Sequence, residues 1–304
     1  MYFKAAVLVK KNTIKILNLK RPKLKKFQVF VKILYSSICH TQLSEIKGQR
    51  GVDNFLPHCL GHEAIGVITE KHKTVKKVNV NDFVCLSWIK GSGNDTGGIT
   101  YKELNGLNVN AGPVHTFSEY SVISENRIYK LNNKKNLKSK VLLGCALSTA
   151  YNALNKDLIG KSKSICILGA GGLGISCLIL AKKMGIQDII VIDKVENKLK
   201  LAKKLGATFV NKSIENIQFK KKIDIVVECT GNIEILKKSV NLPKYFGGKL
   251  IFIGNYPNKS FIKLDPWKII RGISFVGAWN TTVIFDSSFK ELEKISSNIN
   301  LKDF

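Results

Sequence analysis

The chain has 304 residues, 44% of them hydrophobic and 23% charged, a globular balance with enough length for two cores, which excludes a largely disordered chain or a fibrous repeat. Its net charge of +27 would attract polyanions. Only four of the 49 basic residues are arginine (Arg21, Arg50, Arg127, Arg271) and no lysine run exceeds Lys220 to Lys222, so the charge reads as a Lys/Asn/Ile-rich composition and no nucleic-acid partner is expected, a polyanion-binding protein being the alternative.

The first nine residues are apolar in part but lack the long core and cleavage site of a signal peptide. They read as a strand over 4–9, followed by strands over 13–17 and 28–34, all rich in β-branched and aliphatic residues, with Pro22 in the connection. The chain up to about residue 145 is expected to be mainly β. Beyond Lys163 strands and helices alternate: strand 165–168, helix 172–184, strand 189–192, helix 195–205, then strands over 223–227 and 250–253. Val195, Leu199, Ala202 and Leu205 recur at helical spacing and Gly206 closes that helix. Such alternation implies a parallel sheet covered on both faces. Glycines interrupt the apolar run of residues 165–181, which reads as strand, turn and helix, and no membrane span is expected. The seven cysteines are odd in number and irregular in spacing, which argues for reduced thiols and a cytoplasmic setting rather than a disulfide framework.

Cys39, His62 and Cys145 carry the donor chemistry. Two thiolates and an imidazole make a three-ligand zinc set with one tetrahedral position open, whereas a buried thiol is the plain alternative for either cysteine. The turn Gly169-Ala170-Gly171-Gly172-Leu173-Gly174 ends an apolar run and opens a helix, where unpaired N–H groups would meet a pyrophosphate. Gly169, Gly171 and Gly174 stand at the fingerprint positions, with Gly172 between them. Asp193 follows Gly174 by 19 residues, placed to accept the adenosine ribose hydroxyls and to repel a 2′-phosphate, so NAD is expected over NADP. A helix N-cap is the alternative for Asp193, and Lys198 is within reach of the same ribose. His58, His72 and His115 have no partner at ligand spacing and read as surface or hydrogen-bonded residues. Cys59, Cys85, Cys166, Cys177 and Cys229 read as core thiols.

In the contexts Ser36-Ser37-Ile38-Cys39-His40-Thr41, Gly61-His62-Glu63-Ala64-Ile65-Gly66 and Leu142-Leu143-Gly144-Cys145-Ala146-Leu147-Ser148-Thr149, the sequence resembles the zinc-containing alcohol dehydrogenases of the medium-chain dehydrogenase superfamily. The resemblance runs from Met1 to about Trp279. It implies an α/β protein with a GroES-like β-barrel catalytic domain (1–146), a Rossmann NAD-binding domain on a doubly wound parallel sheet (147–278), and the start of a return to the catalytic domain (279–304) that reads as truncated. The active site would lie in the cleft between the domains. Thr41 would pass the substrate proton outward, and Glu63 would be a carboxylate behind or transiently on the zinc. Ser44 stands where the family often has a histidine relay, and Gln42 where it commonly has an acid. His40 would contact the pyrophosphate, Thr149 and Thr230 the cofactor, and Trp88 the substrate. Residues 86–114 lack the four cysteines that hold a second, structural zinc in many relatives. One zinc per chain is therefore expected, with residues 91–110 forming a different loop. The implied activity is zinc-dependent hydride transfer between NAD and an alcohol, polyol or sugar hydroxyl, on a small alcohol or aldehyde substrate. A homodimer or homotetramer built through the Rossmann domains, by way of a strand near 274–278, is expected. A catalytically inactive NAD-binding scaffold is the alternative, raised by the short C-terminal segment and the altered relay.

Overall fold

The computed structural model of the protein describes residues 1–154, 159, 162–215, 223–257, 259–278 and 282–299. In chain order its first half holds β1 (Tyr2–Lys10), β2 (Thr13–Lys20), β3 (Gln28–Ser36), α1 (His40–Ile46), β4 (His58–Cys59), β5 (Glu63–Lys71), β6 (Phe83–Ser87), β7 (Ile99–Glu103), β8 (Asn108–Gly112), β9 (Tyr120–Ser124), β10 (Ile128–Lys130), α2 (Leu137–Lys140) and α3 (Ala146–Ala153). There follow β11 (Ser164–Leu168), α4 (Gly172–Lys183), β12 (Asp188–Ile192), α5 (Glu196–Lys204), β13 (Phe209–Asn211), β14 (Ile225–Glu228), α6 (Ile233–Ser239), β15 (Lys249–Phe252), α7 (Pro266–Ile270), β16 (Ser274–Gly277) and α8 (Thr282–Ser296). Two compact units result, one of Met1–Ser148 with Asn280–Lys302, the other of Thr149–Trp279.

The first unit is β-rich because its strands alternate. In β1, Phe3, Ala5 and Val7 are buried while Lys4 is exposed, the period-two pattern of a half-buried strand. β1, β2, β7, β8 and β4 close a barrel around Phe3, Leu19, Phe30, Tyr101, Val109 and Val122. A second sheet has the order β10-β6-β5-β3-β9, and its core is Val29, Val31, Ala64, Ile68, Val84 and Leu86. The pairing of β3 with β5 sets Ser36 opposite Ala64. That register brings the chain leaving β3 beside the chain entering β5.

Residues 91–110 do not form the expected loop. They contain β7 and the start of β8, antiparallel with Tyr101 opposite Val109, and both side chains are buried in the barrel. The hairpin was legible: Asn105-Gly106 is a strong turn signal between alternating apolar residues.

The second unit is a six-stranded sheet of order β13-β12-β11-β14-β15-β16, parallel throughout. Among the described residues α4 links β11 to β12, α5 links β12 to β13, α6 links β14 to β15 and α7 links β15 to β16, as in a doubly wound sheet. In this unit the expected strands and helices are present with ends displaced by a residue or two, where helices and strands fray; in the first unit β2 runs three residues beyond the expected 13–17. The α/β class expected from the sequence, a β-barrel unit plus a doubly wound parallel-sheet unit, is the architecture found. No helix among the described residues is long and apolar enough to cross a membrane.

Candidate functional site

Three elements of the first unit deliver three donors to one point. Cys39 is the N-cap of α1, just beyond β3, with an extended backbone. His62 directly precedes β5, and the Ser36 hydroxyl ties the two segments together by donating to the Glu63 carbonyl at 2.9 Å. Cys145 ends the short 3-10 turn Val141–Gly144. That turn can reach β5 only because residue 144 is glycine: a Cβ there would stand 2.6 Å from Glu63 Cβ and 2.7 Å from the Leu86 carbonyl oxygen. The Ser87 hydroxyl holds it by donating to the Gly144 carbonyl at 2.7 Å. One ligand atom from each of Cys39, His62 and Cys145 lies within 4.8 Å of the other two.

The donor set fits a cation. The Cys145 thiol aimed at the Cys39 sulfur brings Cys39 down to about 3, helped by His62 and Thr41 and opposed by burial. The same contact, with burial, drives Cys145 well above the usual thiol range. Two sulfurs so placed ionise together only with positive charge between them. His62 Nε2 is buried without a hydrogen-bond partner among the described residues, a stranded polar atom of the kind that a bound ion accounts for. The buried Gln42 amide bridges two of the three donors: its oxygen accepts the Cys39 N–H at 3.1 Å and the amide contacts His62 Nδ1.

Other expected residues fall around this point. Thr41 Oγ1 is 3.5 Å from Cys39 Sγ. Burial pushes the Glu63 carboxyl up to about 7 against the opposing charge of His62. The Trp88 indole faces the Cys145 sulfur and offsets a little of the rise that Cys39 and burial impose on that thiol, so it borders the donor set. His40 is exposed at the first position of α1. The remaining histidines are engaged elsewhere: His58 Nε2 meets Asp53 at 2.8 Å, His72 Nδ1 meets Thr74 at 2.9 Å, and His115, pushed down to about 3 by burial, meets the Tyr101 hydroxyl at 3.0 Å. All seven cysteines are free. Among the described residues, Cys39, His62 and Cys145 are the group whose atoms converge as metal ligands do.

The second unit carries the glycine turn between β11 and α4. Added Cβ atoms at Gly171 and Gly172 would meet nothing within 4 Å, leaving room for a ligand over the start of the helix, while one at Gly174 would strike the Gly169 carbonyl oxygen at 1.8 Å. The first N–H groups of α4 have no acceptor within the helix. This cradle suits a pyrophosphate. Asp193, at the end of β12, accepts the Ala170 N–H at 2.8 Å and the Val195 N–H at 2.9 Å, with Lys198 Nζ 3.7 Å away. Each oxygen keeps a second lone pair. The Thr149 hydroxyl is buried without a hydrogen-bond partner among the described residues. Thr230 is exposed, and its hydroxyl donates to Glu228. Glu228 and Tyr256, whose hydroxyl donates to that carboxylate, were not expected from the sequence, and no local pattern marks either of them.

The Alcohol dehydrogenase GroES-like domain family matches residues 25–133, and the Zinc-binding dehydrogenase family matches residues 172–298. Alcohol dehydrogenase-like 3 of Arabidopsis thaliana is 27% identical over 297 residues, 83% of this chain and 75% of that protein. The S-(hydroxymethyl)glutathione dehydrogenase of Photobacterium damsela subsp. piscicida is 27% identical over 282 residues, 82% of this chain and 76% of its own. Among solved structures, the benzyl alcohol dehydrogenase of Acinetobacter calcoaceticus superposes with a TM-score of 0.80 at 26% identity, covering 96% of this chain and 90% of that one. A zinc-binding-domain alcohol dehydrogenase protein from Burkholderia ambifaria shares the fold at a TM-score of 0.85 and 21% identity, over 97% and 88% of the two chains. With one family matching the barrel half and the other the parallel-sheet half, the chain belongs to the zinc-containing alcohol dehydrogenases of the medium-chain dehydrogenase superfamily, a family of oxidoreductases.

Proposed function

We infer that the protein is a zinc-dependent, NAD-linked dehydrogenase that interconverts a small alcohol, polyol or sugar hydroxyl with the corresponding carbonyl compound. The observation that carries this reading is the convergence within 4.8 Å of Cys39, His62 and Cys145. Zinc bound there supplies a Lewis acid for a hydroxyl oxygen, and NAD supplies the hydride acceptor.

The chain's own residues have separable tasks. Cys39, His62 and Cys145 would hold the metal, which would supply the Lewis acid for the substrate hydroxyl. Gln42 orients Cys39 and His62 together, the work usually done by groups behind a ligand set. The Thr41 hydroxyl, at the second position of α1, receives the substrate's proton. Glu63, in its dry site, is the carboxylate behind the metal, and Trp88 borders both the Cys145 sulfur and the substrate. In the second unit the Gly169–Gly174 turn takes the pyrophosphate, with Gly169, Gly171, Gly172 and Gly174 permitting its approach. Asp193 takes the adenosine ribose with Lys198 beside it, and this carboxylate favours NAD over NADP. His40, Thr149 and Thr230 are further cofactor contacts.

Unpaired cysteines, two of them required as thiolates, accord with a reducing, cytoplasmic setting. The partner assigned to the chain is a second copy of itself. β16 is the last strand of its sheet among the described residues, an open edge of the kind that pairs with another chain, and the helix that precedes it in sequence, α7, exposes Trp267 and Ile270 at 64% and 75%, apolar surface that such a partner would cover.

Metal analysis of protein purified without added zinc should find about one zinc per chain. NADH formation over a panel of alcohols, polyols and sugar derivatives should then show turnover that Cys39→Ser abolishes along with the bound zinc. Zinc-free protein with no turnover on any of them would replace the enzyme reading with a cofactor-binding scaffold.

A further inference from the structure

Glu228 is a fully buried carboxylate that neither the metal nor the ribose site uses. It ends β14, and its exposure is 0%. Four donors from two different loops surround it. Oε1 accepts the Thr230 N–H at 2.8 Å and the Thr230 hydroxyl, while Oε2 accepts the Gly231 N–H at 3.2 Å and the Tyr256 hydroxyl. Its backbone carbonyl accepts the N–H groups of Ile253 and Gly254, each at 3.0 Å. Thr230 and Gly231 leave β14, and Ile253 to Tyr256 leave β15. A single carboxylate thus fastens together the loops at the carboxyl ends of two adjacent parallel strands. Thr230 also packs on the turn after β11, since a Cβ at Gly169 would lie 2.9 Å from Thr230 Cγ2.

The place of these loops follows from the sheet order. Ligands of open parallel sheets bind outside the carboxyl ends of the strands, where the order reverses. Here the reversal is at β11, with β12 and β13 on one side and β14, β15 and β16 on the other. Asp193 follows β12, so the adenosine half belongs to the first side. The other half of the dinucleotide must cross the glycine turn toward the loops after β14 and β15.

We propose that Glu228 is the positioning residue for the nicotinamide half of the cofactor, acting through the Thr230-Gly231 turn and the Tyr256 loop; this rests on the NAD reading above. The chemistry requires a carboxylate. Each oxygen takes one backbone N–H, and a glutamine has a single acceptor oxygen, so in either orientation its NH2 group faces an N–H that has lost its acceptor.

Equilibrium binding of NADH and of ADP-ribose, which lacks only the nicotinamide, tests the assignment on the full chain. In Glu228→Gln the NADH affinity should fall about tenfold or more, the loss expected when a buried donor goes unpaired. ADP-ribose affinity should stay within about threefold of the unchanged protein, a shift smaller than one such bond. Tyr256→Phe, which removes one donor and leaves no group stranded, should show a smaller loss of the same kind and decides the matter if Glu228→Gln does not fold. Equal losses for both ligands, as a merely structural role would produce, or no loss for either, would overturn the proposal while leaving NAD binding intact. Failure of the unchanged protein to bind NADH or ADP-ribose would overturn the cofactor reading and the proposal with it.

Discussion

Asp193 is asked to do two things with one carboxylate. It accepts the N–H of Ala170 inside the glycine turn and the N–H of Val195 ahead of α5, so it shapes the cradle in addition to its proposed contact with the ribose. Replacing it with glycine removes both roles. Asp193→Gly should lower the NAD-over-NADP preference about 10- to 100-fold, the worth of one to two hydrogen bonds to a charged acceptor. Competitive binding of the two cofactors reads this directly, and an unchanged preference would remove Asp193 from the ribose site. Asp193 could be singled out from its distance beyond the glycine turn. Glu228 could not, because an acid at the end of an apolar run reads as a strand emerging into water. Only its four donors, gathered from two loops, identify it as buried and engaged.

The helix α8 is fastened to the first unit by a buried ion pair. Lys140 Nζ lies 2.8 Å from Glu293 Oε1, with 0% and 2% of the two side chains exposed. Glu293 also accepts the Asn132 N–H at 3.0 Å, and Lys140 donates to the Asn133 carbonyl at 2.6 Å. Phe289, Leu292 and Ile295 bury the apolar face of the same helix, with Phe289 stacked on Tyr129 at 4.8 Å between ring centroids. Burying two charges yields little net stability, but stranding one of them is expensive. Lys140→Met should therefore cost about 3–5 kcal/mol in urea unfolding of the first unit. Lys140→Met with Glu293→Leu should recover part of this and not all, since the Asn132 N–H still lacks its acceptor, at about 1–3 kcal/mol. A loss below about 1 kcal/mol for the single substitution would mean that the pair is not sealed from water. The apolar positions of α8 have helical spacing and are readable in sequence. The pairing of Lys140 with Glu293, 153 residues apart, is not, because either residue alone resembles the many solvated charges of this lysine-rich chain.

A second copy pairing through β16 would bring two bodies of charge +27 together. Repulsion of that size opposes association and is screened by salt, while the apolar contacts of Trp267 and Ile270 are not. Light scattering should find dimers whose dissociation constant falls as ionic strength rises from about 0.05 to 0.3 M, and Ile270→Lys should shift the protein to monomer. Dimers that dissociate with added salt would point to an interface held by charge and would exclude this edge. The chain's length, its alternation of strands and helices and the glycine turn were sufficient for the α/β class, because periodicity is a local property, and the sequence contexts of the three donors carried the resemblance to the family. The register of Ser36 against Ala64, the approach of Gly144 to Glu63, and the closure of the barrel by β7 and β8 needed the tertiary structure. These are contacts between segments far apart in the chain, and no local pattern encodes which distant neighbour a residue will meet.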